Sequence, residues 1–147
     1  MLTISGKHDG TKIFCNVVLM PIPRLDGLGQ NQSTPAPKLL VLRALIDTGA
    51  TCTNITPSTA KKLDLEPLGL AEVATAGGTV YATYYLFKLG FLKDANNQSQ
   101  MLIPQSPIEG LELLEEEQEF DVLLGMDVLS QGVFKMSSRR FEFSIGA

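Results

Sequence analysis

The sequence predicts a mainly β fold. Gly and Pro recur along the chain, and the segments between them are rich in β-branched and aromatic residues, which is typical of many short strands joined by turns. The length of 147 residues suits one domain with one hydrophobic core. We therefore expect a single domain over residues 1–147 with few helices.

The first part of the chain predicts two strands and a loop. Residues 12–20 have the composition of a strand, and residues 39–46 form an apolar run that we expect to be a strand buried on both faces. Residues 21–38 between them are rich in Pro and Gly, which favours a solvent-exposed loop.

The middle of the chain predicts a short helix followed by a hairpin. Thr56 is a candidate N-cap, and Pro57 follows at the first helical position. Residues 71–75 and 79–85 predict two strands joined through Ala76-Gly77-Gly78, where paired glycines suit a tight turn that needs positive φ.

The C-terminal part predicts a loop, an acidic surface and three further elements. Residues 94–100 read as a polar loop, and the glutamate-rich residues 112–119 as a solvated surface. A buried strand is expected over 120–124, a short helix over 125–131, and an alternating strand over 140–145. No internal repeat is visible.

Composition excludes several classes of function. A net charge of −4 and a pI near 4.9 argue against nucleic-acid binding. Neither a membrane span nor a signal-peptide pattern is visible, so we expect a cytoplasmic protein. His8 is the sole histidine, and Cys15 and Cys52 are too far apart in sequence for typical zinc-ligand spacing. We expect carboxylate chemistry without metal or cofactor.

One tripeptide stands out against this background. Asp47-Thr48-Gly49 ends the apolar run and is followed by Ala50 and Thr51, and a second apolar segment closes later in Leu124-Gly125. Alone, the tripeptide would be a turn, because Asp and Gly are favoured there. Its position between two apolar strands makes it a candidate active-site loop.

Three motifs make the chain similar to the retropepsin-like aspartic peptidases, which include retroviral proteases and their cellular and bacterial relatives. They are residues 45–50, the hairpin tip at Gly77-Gly78, and residues 122–129, which resemble the family's apolar-apolar-Gly-x-Asp/Asn-x-Leu stretch. The resemblance runs from 39 to 145 and looks closest to free-standing bacterial and phage-type members. It implies an acid-protease barrel with a glycine-tipped flap hairpin and one or two short helices.

The resemblance also implies an aspartic endopeptidase. Hydrolysis without a metal or a nucleophilic side chain needs an activated water and a polarised carbonyl, and two close carboxylates that share one proton supply both. Asp47, Thr48 and Gly49 are the implied catalytic residues. Gly49 lets the backbone approach the substrate, and Thr48 is implied to hydrogen-bond to the matching loop of the other half.

A peptide or protein substrate is expected to contact the residues after the catalytic loop and those of the flap tip: Ala50, Thr51, Cys52, Ala76, Gly77 and Gly78. Retroviral members carry an acidic pair where this chain has Thr51 and Cys52, and an arginine where it has Met126. In the retroviral members the first of these acids and the arginine form an ion pair. Because this chain lacks both partners, no buried charge is left uncompensated.

The motif occurs once, so a carboxylate pair needs two chains. We expect a C2 homodimer in which each Asp47 faces its symmetry mate, with the 140–145 strand as the candidate dimer element.

Other interpretations remain open. One is a catalytically silent dimerising domain that binds extended peptides by strand addition. A metal site made by two Asp47 residues lacks supporting ligands. We expect Asp127 to cap the 125–131 helix rather than to take part in chemistry.

Overall fold

A computed structural model describes residues 2–22, 39–94, 97–102 and 107–145, and these residues are mainly β. The elements in chain order are β1 (Leu2–Lys7), β2 (Phe14–Pro21), β3 (Leu42–Ile46), β4 (Asn54–Ile55), α1 (Pro57–Lys62), β5 (Gly69–Thr75), β6 (Gly78–Asp94), β7 (Asn97–Leu102), β8 (Ile108–Glu112), β9 (Val122–Leu124), α2 (Met126–Leu129), β10 (Val133–Met136) and β11 (Arg140–Ile145).

Six strands close a barrel. Their order is β2-β3-β9-β4-β8-β6, and β6 pairs back with β2 to complete the circle. β5 extends from β6 as a hairpin, and β7 also pairs with β6. A separate three-stranded sheet has the order β1-β11-β10. The mainly β prediction is confirmed.

The barrel and the three-stranded sheet share one hydrophobic core. Phe91 of β6 and Phe143 of β11 are both fully buried, and their ring centroids lie 5.0 Å apart. Tilted aromatic pairs at this separation add to the stabilisation from burial. The termini of the described chain are thereby packed against the barrel.

β9 lies between β3 and β4, although these two strands are neighbours in sequence. It runs parallel to β3, with Ile46 opposite Leu124, and antiparallel to β4, with Asn54 opposite Leu123. The chain between β3 and β4 therefore has to cross the end of β9. That crossing segment begins at Asp47.

Several sequence predictions are confirmed. Thr56 is the N-cap of α1, its hydroxyl accepts a hydrogen bond from the backbone N–H of Thr59 at 3.2 Å, and Pro57 follows it. The hairpin of β5 and β6 is present, as is the strand Arg140–Ile145.

Other predictions were wrong. β3 is buried on one face only, because Arg43 points outward with its guanidinium 3.8 Å from the ring centroid of Phe14. β7 forms where residues 94–100 were expected to be a loop, because its backbone pairs with β6 despite its polar sequence. The α2 helix, Met126–Leu129, is shorter than expected. Most of the expected 21–38 loop lies outside the described residues.

Substituting Gly110→Ala should destabilise the barrel by about 1–3 kcal/mol, because overpacking a full core forces its neighbours to shift. A Cβ at this position of β8 would overlap the ring of Phe87, which is completely buried. Urea unfolding of the parent and the variant measures the change. Gly77→Ala is the matched control, since a Cβ there meets no atom within 4 Å, and equal stability of the two variants would contradict the described packing.

Candidate active site

The Asp47 loop is anchored at both ends of its first turn. The backbone N–H of Asp47 donates to the carbonyl of Leu124 at 2.9 Å, which continues the pairing of β3 with β9. The N–H of Ala50 donates to the carbonyl of Asp47 at 3.2 Å and closes a tight turn. The catalytic triplet expected from the sequence therefore lies at the end of a barrel strand.

The Asp47 carboxylate is held from one side. Its Oδ1 accepts a hydrogen bond from the backbone N–H of Gly49 at 2.9 Å, and the residue is half-buried. A Cβ at position 49 would lie 3.3 Å from the same oxygen, so glycine keeps this approach uncrowded. Among the described residues, the other carboxylate oxygen has no protein hydrogen-bond donor. It can bind water or substrate.

A second segment, Gly125 to Asp127, clamps the outer part of the loop. The N–H of Met126 donates to the carbonyl of Ala50 at 2.7 Å, and the N–H of Asp127 donates to that of Thr51 at 3.2 Å. A Cβ at Gly125 would lie 2.6 Å from the carbonyl carbon and oxygen of Cys52. Only glycine permits this approach of the two backbones.

Asp127 has a different role from the one expected. The N-cap of α2 is Gly125, and the Asp127 carboxylate makes one bond to the helix, from the N–H of Val128 at 2.9 Å. It also accepts from the hydroxyl of Thr53 at 2.7 Å and from the N–H of Thr53 at 3.0 Å.

Thr53 links these two segments and is completely buried. Its hydroxyl donates to Asp127 and accepts from the N–H of Gly125 at 3.2 Å. Asp127 and Thr53 therefore position the Asp47 loop, a role that was not predicted from the sequence. The sequence signal for this role was the position of Asp127 two residues after Gly125, the glycine that packs against the loop.

The flap tip is open to solvent. Thr75 and Gly78 face each other at the end of the hairpin, and the Thr75 hydroxyl donates to the carbonyl of Gly78 at 2.6 Å. The positive φ of 118° falls on Gly78, as in turns that end in a glycine of left-handed conformation. Ala76, Gly77 and Gly78 are exposed, and Cβ atoms added to the two glycines would meet no atom within 4 Å.

Two cavities flank the barrel strands that carry these features. One, of about 290 Å³, is lined by Asp47, Thr48 and residues of the β1–β2 connection and β10. The other, of about 330 Å³, lies beneath the flap strands. Of the predicted substrate-binding residues in the Asp47 loop, Thr51 and Cys52 are exposed and Ala50 is half-buried.

His8 lines the first cavity but is engaged in structural bonds. Its Nδ1 accepts from the N–H of Gly10 at 3.0 Å, and its Nε2 lies 2.7 Å from the carbonyl of Ser137. Because Nδ1 accepts, Nε2 is the ring nitrogen that donates to the Ser137 carbonyl. This imidazole fastens the β1–β2 connection to the chain after β10.

Both cysteines are free thiols. Burial raises the pKa of the Cys15 thiol to about 12, which keeps it protonated. Within the described ranges we find no group of three or more His, Cys, Asp or Glu side chains that could hold a metal ion. Among the helices of the same ranges, none has the length and apolarity to cross a membrane.

β11 is the central strand of its sheet. β1 pairs with one edge and β10 with the other. Both edges of Arg140–Ile145 are occupied within one chain, so neither is open for pairing with a second chain, and its role as a dimer element stays a prediction. In the described residues the outer strands of this sheet are β1 and β10.

Substituting Asp127→Ala should lower the free energy of unfolding by about 1–3 kcal/mol, because it leaves the buried Thr53 hydroxyl and N–H without their acceptor. Chemical denaturation measures the loss. Glu109→Ala, an exposed acid on β8, is the control and should change stability by less than about 0.5 kcal/mol. Equal effects of the two substitutions would mean that the carboxylate does not support the loop.

Comparisons with known proteins agree with this geometry. A family model described as aspartyl protease matches residues 39–128. No curated protein matches the chain. Among solved structures, a retropepsin-like aspartic protease from Rickettsia conorii is similar with a TM-score of 0.53 and 15% identity, over 98% of this chain and 93% of that one.

A protein of unknown function from Legionella pneumophila matches at a TM-score of 0.34 and 14% identity, over 62% of this chain and 75% of that one. The family model covers more than half of the 147 residues and includes both the Asp47 loop and the segment that clamps it. The chain belongs to the aspartyl protease family, and its barrel is retropepsin-like.

Proposed function

We propose that the protein is an aspartic endopeptidase whose active site forms between two copies of the chain. The observation that carries the proposal is the Asp47 carboxylate, which is fixed by the N–H of Gly49 and has a second oxygen available for water. Family membership supports peptide-bond hydrolysis. The catalytic residues are Asp47, Thr48 and Gly49.

The sequence holds a single Asp-Thr-Gly, so one chain supplies one carboxylate. In a symmetric dimer the Asp47 side chains of the two copies would meet on the two-fold axis. Two carboxylates about 3 Å apart cannot both ionise, so the pair retains one proton. Thr48 is exposed beside Asp47 and is available to the loop of the partner.

In this dyad one carboxylate takes a proton from water, and the water oxygen attacks the carbonyl carbon of the substrate. The protonated carboxyl of the other Asp47 donates its proton to the carbonyl oxygen. The tetrahedral intermediate then breaks its C–N bond as the nitrogen takes a proton from the pair. One hydroxyl of the intermediate returns a proton, so the pair again holds one. The backbone bonds that fix the loop hold these groups ready before substrate arrives.

The substrate is an extended peptide segment. Ala50, Thr51 and Cys52 form the loop side of its path, and the flap tip of Ala76, Gly77 and Gly78 closes over it. Exposed backbone groups at a hairpin tip can hydrogen-bond an extended chain and exclude water. No metal or cofactor takes part in this chemistry.

Asp47→Asn should abolish peptide cleavage, with a fall in kcat of at least about 10²–10⁴-fold, because an amide cannot accept the proton of water. A peptide library incubated with both proteins at several pH values measures this, and the parent should give a bell-shaped pH profile and be blocked by a statine-type transition-state analogue.

Asp64→Asn is the matched control. Asp64 is exposed and has a φ of 50°, a conformation that Asn tolerates, so this variant should keep full activity. Equal cleavage by Asp47→Asn and the parent would refute the catalytic role. Peptide binding without cleavage by the parent would instead support a silent peptide-binding domain, and a monomer in sedimentation at micromolar concentration would contradict the dyad.

A further inference from the structure

The cavity beneath the flap has a distinctive lining. It has a volume of about 330 Å³ and lies between the flap strands on one side and β4, β8 and the following segment on the other. Its lining residues are Asn54, Val73, Thr75, Val80, Ala82, Leu111, Glu112, Leu113, Leu114, Glu115 and Glu117. Apolar side chains from both sides form the walls, and among the described residues three carboxylates are the only charged groups in the lining.

The position of the cavity ties it to the proposed peptide path. Asn54 begins β4, directly after the loop that carries Asp47 and Thr53. Val73 and Val80 face each other across the flap hairpin, between its tip and its base. A peptide lying between the loop and the flap would therefore present side chains to this space.

Two of the carboxylates, those of Glu115 and Glu117, flank Glu116, which is held in place by hydrogen bonds to α1. The side chain of Glu116 is turned to α1, where it accepts from the N–H of Ser58 at 3.0 Å and from its hydroxyl at 2.7 Å. Glu115 and Glu117, on either side of it, line the cavity.

The third carboxylate, that of Glu112, is held by a tyrosine hydroxyl of β6. Glu112 accepts a hydrogen bond from the hydroxyl of Tyr85 at 2.8 Å. Burial, together with this bond, raises the pKa of Tyr85 to about 12, so the hydroxyl remains a donor. Glu112 is thus held at the cavity wall by a permanent partner.

We propose that this cavity is a specificity subsite that takes a lysine or arginine side chain of the substrate, an inference that rests on the proposed peptidase function. The aliphatic stem of such a side chain packs against the valines and leucines, and its cationic end meets Glu112, Glu115 and Glu117. Within the part of the chain that the structure describes, no lysine or arginine lines the cavity to neutralise these acids. An apolar side chain gains only the walls, and an acidic one is repelled.

The test uses peptide sets that differ at one residue near the cleaved bond, with lysine, norleucine or glutamate at that residue. At one position the parent should prefer lysine to norleucine by about tenfold in kcat/KM, since each partly exposed ion pair is worth up to about fivefold. Glu115→Gln combined with Glu117→Gln should reduce this preference to about twofold or less. Glu109→Gln, on the same strand as Glu112 but outside the cavity, should leave it unchanged.

Binding separates this inference from the proposed chemistry. The Asp47→Asn variant is titrated with fluorescently labelled forms of the same peptides. The lysine peptide should bind more tightly than the norleucine peptide. This difference should fall to about twofold or less when Glu115→Gln and Glu117→Gln are introduced into the same variant. Cleavage by the parent with equal or better use of norleucine overturns the subsite and leaves the peptidase intact. If the parent cleaves no peptide but the lysine peptide binds more tightly, and this preference requires Glu115 and Glu117, the subsite is supported and the peptidase function is overturned.

Discussion

The insertion of β9 between β3 and β4 is the constraint on which the rest of the structure depends. Two strands that are neighbours in sequence are separated by a third, so the chain that joins them has to cross the end of that third strand. Asp47 stands at the start of the crossing and Thr53 at its end. The loop is therefore fixed by strand pairing at both ends, and its shape is not free to follow the local sequence.

The contacts beneath the loop follow from this constraint. The crossing segment runs over the chain that leaves β9, and Gly125 is required where the two backbones approach. Asp127 then reaches Thr53 and holds the far end of the loop. Because the loop is held in this way, the Asp47 carboxylate does not have to reorganise when charge develops nearby. Such preorganisation is the condition for electrostatic catalysis.

Features set by neighbouring residues could be predicted from the sequence, and features set by distant ones could not. Thr56 and Pro57 start a helix because capping is local, and the glycine-tipped hairpin follows from turn chemistry. The exposed face of β3 was missed because Arg43 covers Phe14 across a strand pair. Asp127 was assigned to its own helix because its partner Thr53 lies 74 residues earlier. The occupied edges of β11 also depend on strands from opposite ends of the described chain.

The most direct test of a shared carboxylate pair is the activity of mixed dimers. Parent chains and Asp47→Asn chains are unfolded together, refolded at varied ratios and constant total concentration, and assayed on one peptide. If each site needs an Asp47 from both chains, activity falls with the square of the parent fraction and is about a quarter at equal amounts. A linear fall, to about half at equal amounts, would show that each chain carries a complete site and would contradict the dyad.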